Sequence, residues 1–487
     1  MERDLSVRDF GPLLLDGKRF GKGDMVTALG ITLNGRNRPV QPGSSLQQCP
    51  GAPMAELLRA LRIVVRADSD SIRQALFAHL LRANTIARLV HSVHRILRRN
   101  WASALLVAGY GLRSFLTINP PRGEHRRIVA VGVHANALHQ LDRVAALVGP
   151  GEIGRVRTNL SALLWPSTIA RLLGLTLSRH HCRRALRLVH AVNCRHDFLV
   201  SCRVASTLAC YARARSILKS GRAAAVLVSS ESNPEEVAFA SAARALHIPT
   251  IFVSHAYTTP VSPPLDFSLS LLEGEAALEA HRRKGVVKGQ VLLIGQEGAS
   301  APLDLNRFSR SSPVIGIFAP KAVNWDTFAA VITDCRHRFH ARQILIRWHP
   351  SMLERPRLDR TLGSTAGVVE SSGTEILQEV ASRCDWIVAD ESSNVHLPVL
   401  RLGIPTISVK NIGETPEDRS DLYRFVAARI VFPPVVSLAD LPLDAVKTFF
   451  SDDWSERFRR YDVSYLRPGL TVDTEVRQAI RSVAGDT

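Results

Sequence analysis

Residues 226–255 read VLVSSESNPEEVAFASAARALHIPTIFVSH, and residues 387–411 read IVADESSNVHLPVLRLGIPTISVKN. Each stretch opens on an apolar run, passes through a polar turn holding a carboxylate and serines, and continues as a helical pattern. Each then closes on Leu-X-Ile-Pro-Thr-Ile and a second apolar run. The pattern predicts strand, ligand loop, helix, tight turn and strand, which is one βαβ unit. The unit is written twice, so the expected fold is α/β, with two Rossmann-like domains facing each other across a cleft. Open parallel sheets take ligands beyond the carboxyl ends of their strands. Both polar turns fall at that edge, so the repeat points to a site as well as a fold.

Composition sets the frame. A chain of 487 residues with 46% hydrophobic content is long enough for two or three domains and is not a disordered polymer. No apolar stretch is long enough to predict a transmembrane helix; Trp101–Leu112 and Leu160–Leu177 are too short or interrupted. The opening MERDLSVRDF lacks the apolar core of a secretory signal. Seven cysteines do not make a disulfide framework at this length, which fits a reducing compartment.

The formal charge of +18 is unevenly placed. Residues 51–220 hold 26 Arg or Lys against 7 Asp or Glu, and the rest of the chain is near balance. A basic half suggests an acidic partner: an anionic membrane surface, a polyanionic polymer or nucleic acid. The segment has few aromatic residues for base stacking, which places nucleic acid last. A genome that favours Arg codons would also write this excess on solvated faces.

The chain divides by pattern. Residues 1–53 are rich in Gly, Pro, Asn and Gln and are expected to form a poorly ordered leader. Residues 54–124 place Leu, Ile and Val at three- and four-residue spacing with Arg between, predicting basic amphipathic helices. Such helices suit either an anionic membrane surface or a helical cap on the first sheet. An acceptor domain is expected over 125–265 and a nucleotide-donor domain over 266–439. Helices packing back across the cleft are expected over 440–487.

Several residues stand where chemistry would be done. His349-Pro350 ends the strand pattern QILIRW, and Arg347 shares its face by the two-residue period. A cation and an imidazole at a sheet edge suit a phosphate. Glu391, Ser392 and Ser393 follow the strand WIVAD and open the next helical pattern, where unpaired N–H groups and hydroxyls form an anion site. Lys321, after PVIGIFAP, is a further phosphate candidate. In the first half, Glu231 in the turn and His255 at the end of the next strand are alternative general bases. His180, His181, Cys182, Cys194, Cys202 and Cys210 lack the paired spacing of a zinc site, so no metal site is expected. Walker A, GxGxxG after a strand and Gly-x-Ser-x-Gly are all missing from the sequence.

At RWHP and ADESSNVHLPVLRLGIPTI the chain resembles GT-B-type bacterial capsule transferases. That group includes polysialyltransferases, capsule Kdo transferases and the CDP-glycerol glycerophosphotransferases of teichoic acid synthesis. The resemblance covers about residues 225–430, extends to 125–225 by topology alone, and leaves out 1–120. It implies that His349 contacts the donor phosphate and stabilises the leaving nucleotide. It also implies that Ser392 and Ser393 hold the same phosphate, and that Glu231 or His255 deprotonates the acceptor hydroxyl. It implies no metal and no cofactor besides a nucleotide-sugar donor. Two departures weigh against glycerol phosphate as the transferred group. His255 is followed by Ala256 where those polymerases have glycine, and Glu391 stands where they have tyrosine.

The expected protein is therefore a glycosyltransferase at the cytoplasmic face of the cell membrane. It would move a sugar, with inversion, from a nucleotide donor to a growing surface or capsular polysaccharide or its lipid-linked primer. A nucleotide-sugar 2-epimerase would use the same architecture with no polymeric acceptor. A non-catalytic protein that grips an anionic glycan is the third reading.

Overall fold

A computed structural model describes residues 52–68, 77, 85–97, 100–121, 127–149, 151–158, 179–221, 223–255, 257, 262–350, 352, 366–372, 375–414, 421–451, 453–467 and 472–485. The expected leader, much of 69–84 and part of the Pro-rich stretch 258–264 lie outside these residues.

Strands β1 (Ile128–Val131), β2 (Ile153–Arg155), β3 (Ala225–Val228), β4 (Thr250–Val253), β5 (Asp266–Leu272) and β6 (Lys288–Leu293) form one parallel sheet in the order β2-β1-β3-β4-β5-β6. Strands β7 (Val314–Phe318), β8 (Gln343–Arg347), β9 (Val368–Glu370), β10 (Trp386–Asp390) and β11 (Thr406–Val409) form a second, in the order β9-β8-β7-β10-β11. The protein thus has two parallel-sheet α/β domains, and each quoted repeat is one βαβ unit: β3 to β4 in the first sheet, β10 to β11 in the second.

Helices α1 (Ala52–Asp68), α2 (Thr85–Leu97), α3 (Trp101–Thr117), α4 (Ala135–Val148), α5 (Arg179–Arg195), α6 (Phe198–Ser220) and α7 (Pro234–Arg244) belong to the first half. Helices α8 (Glu275–Arg282), α9 (Trp325–His337), α10 (Leu377–Ser382), α11 (His396–Arg401), α12 (Leu443–Phe450), α13 (Trp454–Arg459) and α14 (Val472–Ala484) follow. The first sheet is apolar on both faces because helices cover both. Cys210, Ala214 and Phe239 of α6 and α7 pack on one face. Leu141 of α4 and Val476 and Ile480 of α14 pack on the other. The second sheet is flanked by Phe328 of α9 on one side and by Val380 and Val399 of α10 and α11 on the other.

The domain boundary expected at residue 266 moves. Strands β5 and β6 pair with β4 and complete the first sheet, so that domain runs on to the end of β6. Strand pairing is a long-range choice, and nothing local in DFSLSLL says which sheet it will join. The apolar face of α1 also differs from a free membrane helix. It packs on α6 and α7, and its polar residues pair inward, Glu56 with Arg244 at 2.8 Å and Arg59 with Asp266. It caps the first domain. Among the described residues no helix is long and apolar enough to cross a membrane.

The turn in Leu-X-Ile-Pro-Thr-Ile has one backbone solution in both copies. X is His247 at φ 58° in the first and Gly403 at φ 76° in the second. The left-handed residue stops the helix and the proline prevents its continuation. At Gly403 a Cβ would also lie 2.4 Å from the carbonyl oxygen of Pro302. Gly403→Ala is therefore expected to cost about 2 kcal/mol or more, from the left-handed conformation and the clash together. Chemical denaturation of the purified variant measures it; an unchanged midpoint would show that the turn relaxes freely.

Candidate functional site

Each strand order reverses once, and in open parallel sheets of this kind ligands bind beyond the strand ends at such a reversal. In the first sheet the reversal lies between β1 and β3, which end in Gly132-Val133-His134 and Ser229-Ser230-Glu231. In the second it lies between β7 and β10, which end in Ala319-Pro320-Lys321 and Glu391-Ser392-Ser393. Strand β8, beside β7, delivers Arg347 and His349.

Lys321 joins the two sets. It is exposed, and it acts electrostatically on His349 of its own domain and on His134 of the other. Burial pushes the His349 imidazole down to about 4, helped by Lys321 and Arg347. At neutral pH it is an uncharged ring among cations, ready to gain a proton when an anion arrives. Arg347 lies over the Phe318 ring at 5.7 Å, and its Nε is buried with no hydrogen-bond partner. Glu391, partly buried beside Asp390, is raised to about 7.

The turn after β10 is built from Asp390, which is fully buried. Its Oδ1 accepts the backbone N–H of Ser392 at 3.0 Å and the Ser392 hydroxyl at 2.5 Å. Its Oδ2 accepts the N–H of Gly413 at 2.7 Å. The Nε2–H of His396 donates to the Asp390 carbonyl at 3.1 Å, so Nδ1 accepts from the Thr406 hydroxyl at 3.0 Å. This corrects the expected capping. The helix starts at His396, its flanking residue is Val395, and Ser393 Oγ accepts the Val395 N–H at 3.3 Å. The serine hydroxyls first shape the turn.

In the first domain, His255 Nδ1–H donates to the Ser229 carbonyl. A carbonyl can only accept, so the neutral ring keeps its lone pair on Nε2. Glu231 Oε1 accepts the Ser262 hydroxyl at 2.7 Å. Beneath the turn, Glu236 is fully buried and accepts the backbone N–H groups of Ser229 (2.9 Å) and Ser230. Burial raises it to about 8 against the pull of those donors. Sequence reasoning passed over His134, which flanks the start of α4 and shares a side-chain hydrogen bond with Asn233. The strand-end rule applied to IVAVGVH would have found it. It also passed over Glu273, buried at the end of β5 and raised to about 7 by burial.

No family model and no curated protein matches this sequence. Solved structures with a similar chain path include the MnaA–UDP co-structure of S. aureus, at 11% identity and a TM-score of 0.45, covering 74% of this chain and 98% of that one. CalG4, the calicheamicin glycosyltransferase, has 12% identity and a TM-score of 0.38, with coverage of 74% and 99%. The UDP-GlcNAc 2-epimerase of Methanocaldococcus jannaschii has 12% identity and a TM-score of 0.41, with coverage of 72% and 99%. These likenesses concern the path of the chain, and no residue's role follows from them.

The histidines give the protein a pH signature. His349 and His396 are both lowered to about 4 from 6.5, the latter by full burial. The folded state binds their protons less readily than the unfolded chain. Their contribution to stability is therefore complete above pH 6.5 and is lost as pH falls towards 4. Glu236, Glu273 and Glu391, raised to about 8, 7 and 7, act in the opposite sense, so the histidine contribution is read as a difference. As pH falls from 6.5 to 4, the wild type should lose melting temperature relative to a His349→Gln/His396→Gln variant. Parallel pH profiles of the two proteins would refute it.

Proposed function

We propose that the cleft binds a nucleotide-activated sugar and transfers the sugar, with inversion, to a hydroxyl of a surface or capsular glycan or its lipid-linked primer. What supports the reading is one juxtaposition. Lys321 acts electrostatically on both His349 of the second domain and His134 of the first, and the three residues follow strand ends at or beside the points where the sheets reverse order. A cluster of cations beside a half-buried imidazole suits a diphosphate. An imidazole across from it suits proton removal.

In this mechanism the acceptor oxygen attacks the anomeric carbon, forming one C–O bond while the bond to the donor phosphate breaks. The acceptor proton goes to Nε2 of His255, whose Nδ1–H is held by the Ser229 carbonyl; Glu231, which accepts the Ser262 hydroxyl on one oxygen and has a second, is the alternative base. Lys321, Arg347 and His349 take up the charge on the leaving nucleotide, and no metal enters the step. The turn built on Asp390 brings Ser393, which keeps its O–H, to the same phosphate, while the Ser392 hydroxyl donates to Asp390 and fixes the turn.

The test is a thermal-shift screen against CMP, CDP, UDP, GDP and their sugar conjugates, followed by product analysis. A ligand of the native state raises the melting temperature by mass action. One nucleotide family should do so, with the shift lost in Lys321→Ala. A C2-epimerised nucleotide sugar formed with no acceptor would move the assignment to a 2-epimerase. A shift with an anionic glycan and with no nucleotide would make the protein a glycan binder.

A further inference from the structure

The outward face of α2 and α3 is apolar. Leu89, Val93 and Ile96 follow one another at four- and three-residue spacing on α2 and are 64%, 38% and 78% exposed. Trp101, Leu105 and Leu112 share one side of α3, at 49%, 58% and 38%, with one face of the Trp101 ring stacked on His190 of α5 at 4.2 Å. The opposite face of α3 is satisfied. Ser103, Ala104, Val107 and Gly111 are buried there, and a Cβ on Gly111 would lie 2.7 Å from the Ala205 carbonyl of α6. The exposed side chains are thus held outward by a fixed inner face. Scattered exposed apolar residues are ordinary, but a continuous two-helix surface marks an interaction site.

The charges around this face say what covers it. Residues 71–123 contain eight Arg and not one Asp or Glu. Arg88 and Arg95 are exposed on α2, Arg113 is exposed near the end of α3, and residues 101–112 carry no charge at all. An apolar face with a Trp at its edge, whose exposed charges on α2 and α3 are Arg88, Arg95 and Arg113, fits the boundary between headgroups and acyl chains of an anionic bilayer. We infer that α2 and α3 dock the protein on an anionic lipid surface, with Leu89, Ile96, Trp101 and Leu105 entering the interface. The inference stands apart from the proposed reaction, because it concerns a surface the cleft does not use.

Sedimentation of the full chain with phosphatidylcholine vesicles, with and without phosphatidylglycerol, tests it in the absence of any nucleotide. Binding should require the anionic lipid and weaken with salt. Ile96→Ser, Leu105→Ser and Leu112→Ser together should lower the partition coefficient by about tenfold or more, from the apolar area withheld. Brominated lipid should quench wild-type fluorescence, and Trp101→Phe should remove most of that quenching; this arm decides the matter should the triple variant misfold. No vesicle binding, or equal binding by a folded triple variant, would overturn the docking role. So would light scattering that shows a dimer split by the triple variant with no lipid binding, which would give the face to a second copy of the chain.

Discussion

Replacing His349 with alanine is expected to lower turnover by about 10²–10³-fold, the range for losing one preorganised donor to developing charge. The side chain stands where β8 ends, is held there by Pro350, and shares its face with Arg347. Its imidazole is uncharged at neutral pH because burial and two neighbouring cations hold its proton affinity down to about 4. A diphosphate between Lys321 and His349 reverses that balance, since a nearby anion favours the protonated ring. The ring then donates to oxygen on which negative charge grows as the sugar leaves. The loss should fall mainly on kcat. Lys321→Ala should instead weaken nucleotide binding, because a point charge helps the bound donor in ground state and transition state alike. A His349→Ala protein with undiminished kcat would remove His349 from the reaction.

Asp462→Ala is expected to be the most destabilising single change, by about 3–5 kcal/mol. Asp462 is fully buried at the seam between the domains. It pairs with Arg401 at the end of α11, and it accepts the backbone N–H of Gln296, just after β6, at 3.0 Å. Arg401 also donates to the Gly298 carbonyl at 2.6 Å and to Ser464 Oγ at 3.0 Å. Removing the carboxylate leaves a buried guanidinium with no counter-charge. Removing both charges at once is far cheaper, so Arg401→Met with Asp462→Leu should recover most of the loss. Denaturant unfolding of the two variants gives the comparison. A single variant that loses less than the double would show that the pair is not the clamp.

The two βαβ units were legible because their information is local. Apolar runs set the strands, and the Ile-Pro step with a left-handed residue before it sets the turn, whether that residue is His247 or Gly403. Lys321, Arg347 and His349 could be read because each ends a strand, and strand ends converge wherever the sheet forms. The sequence did not reveal which sheet β5 and β6 would join, because pairing is decided by partners far along the chain. It also hid the true start of α11. Ser392 and Ser393 look like caps, but the buried Asp390 carboxylate and His396 capture the turn first. His134 was missed because the site needs both domains, and its neighbour Lys321 lies 187 positions further along. The outward face of α2 and α3 was read as basic because Arg recurs there; only packing against α6 shows which side chains are left facing solvent.

In the proposed reaction one nucleotide diphosphate sits between the two strand-end clusters. The most direct measurement is a crystal structure of the full chain with whichever nucleoside diphosphate gives the largest thermal shift. The terminal phosphate is expected within hydrogen-bonding reach of Lys321 Nζ and the His349 ring, with its sugar-bearing side towards His255 and His134. A diphosphate bound away from Lys321 and His349, or seated on the first domain alone, would contradict it.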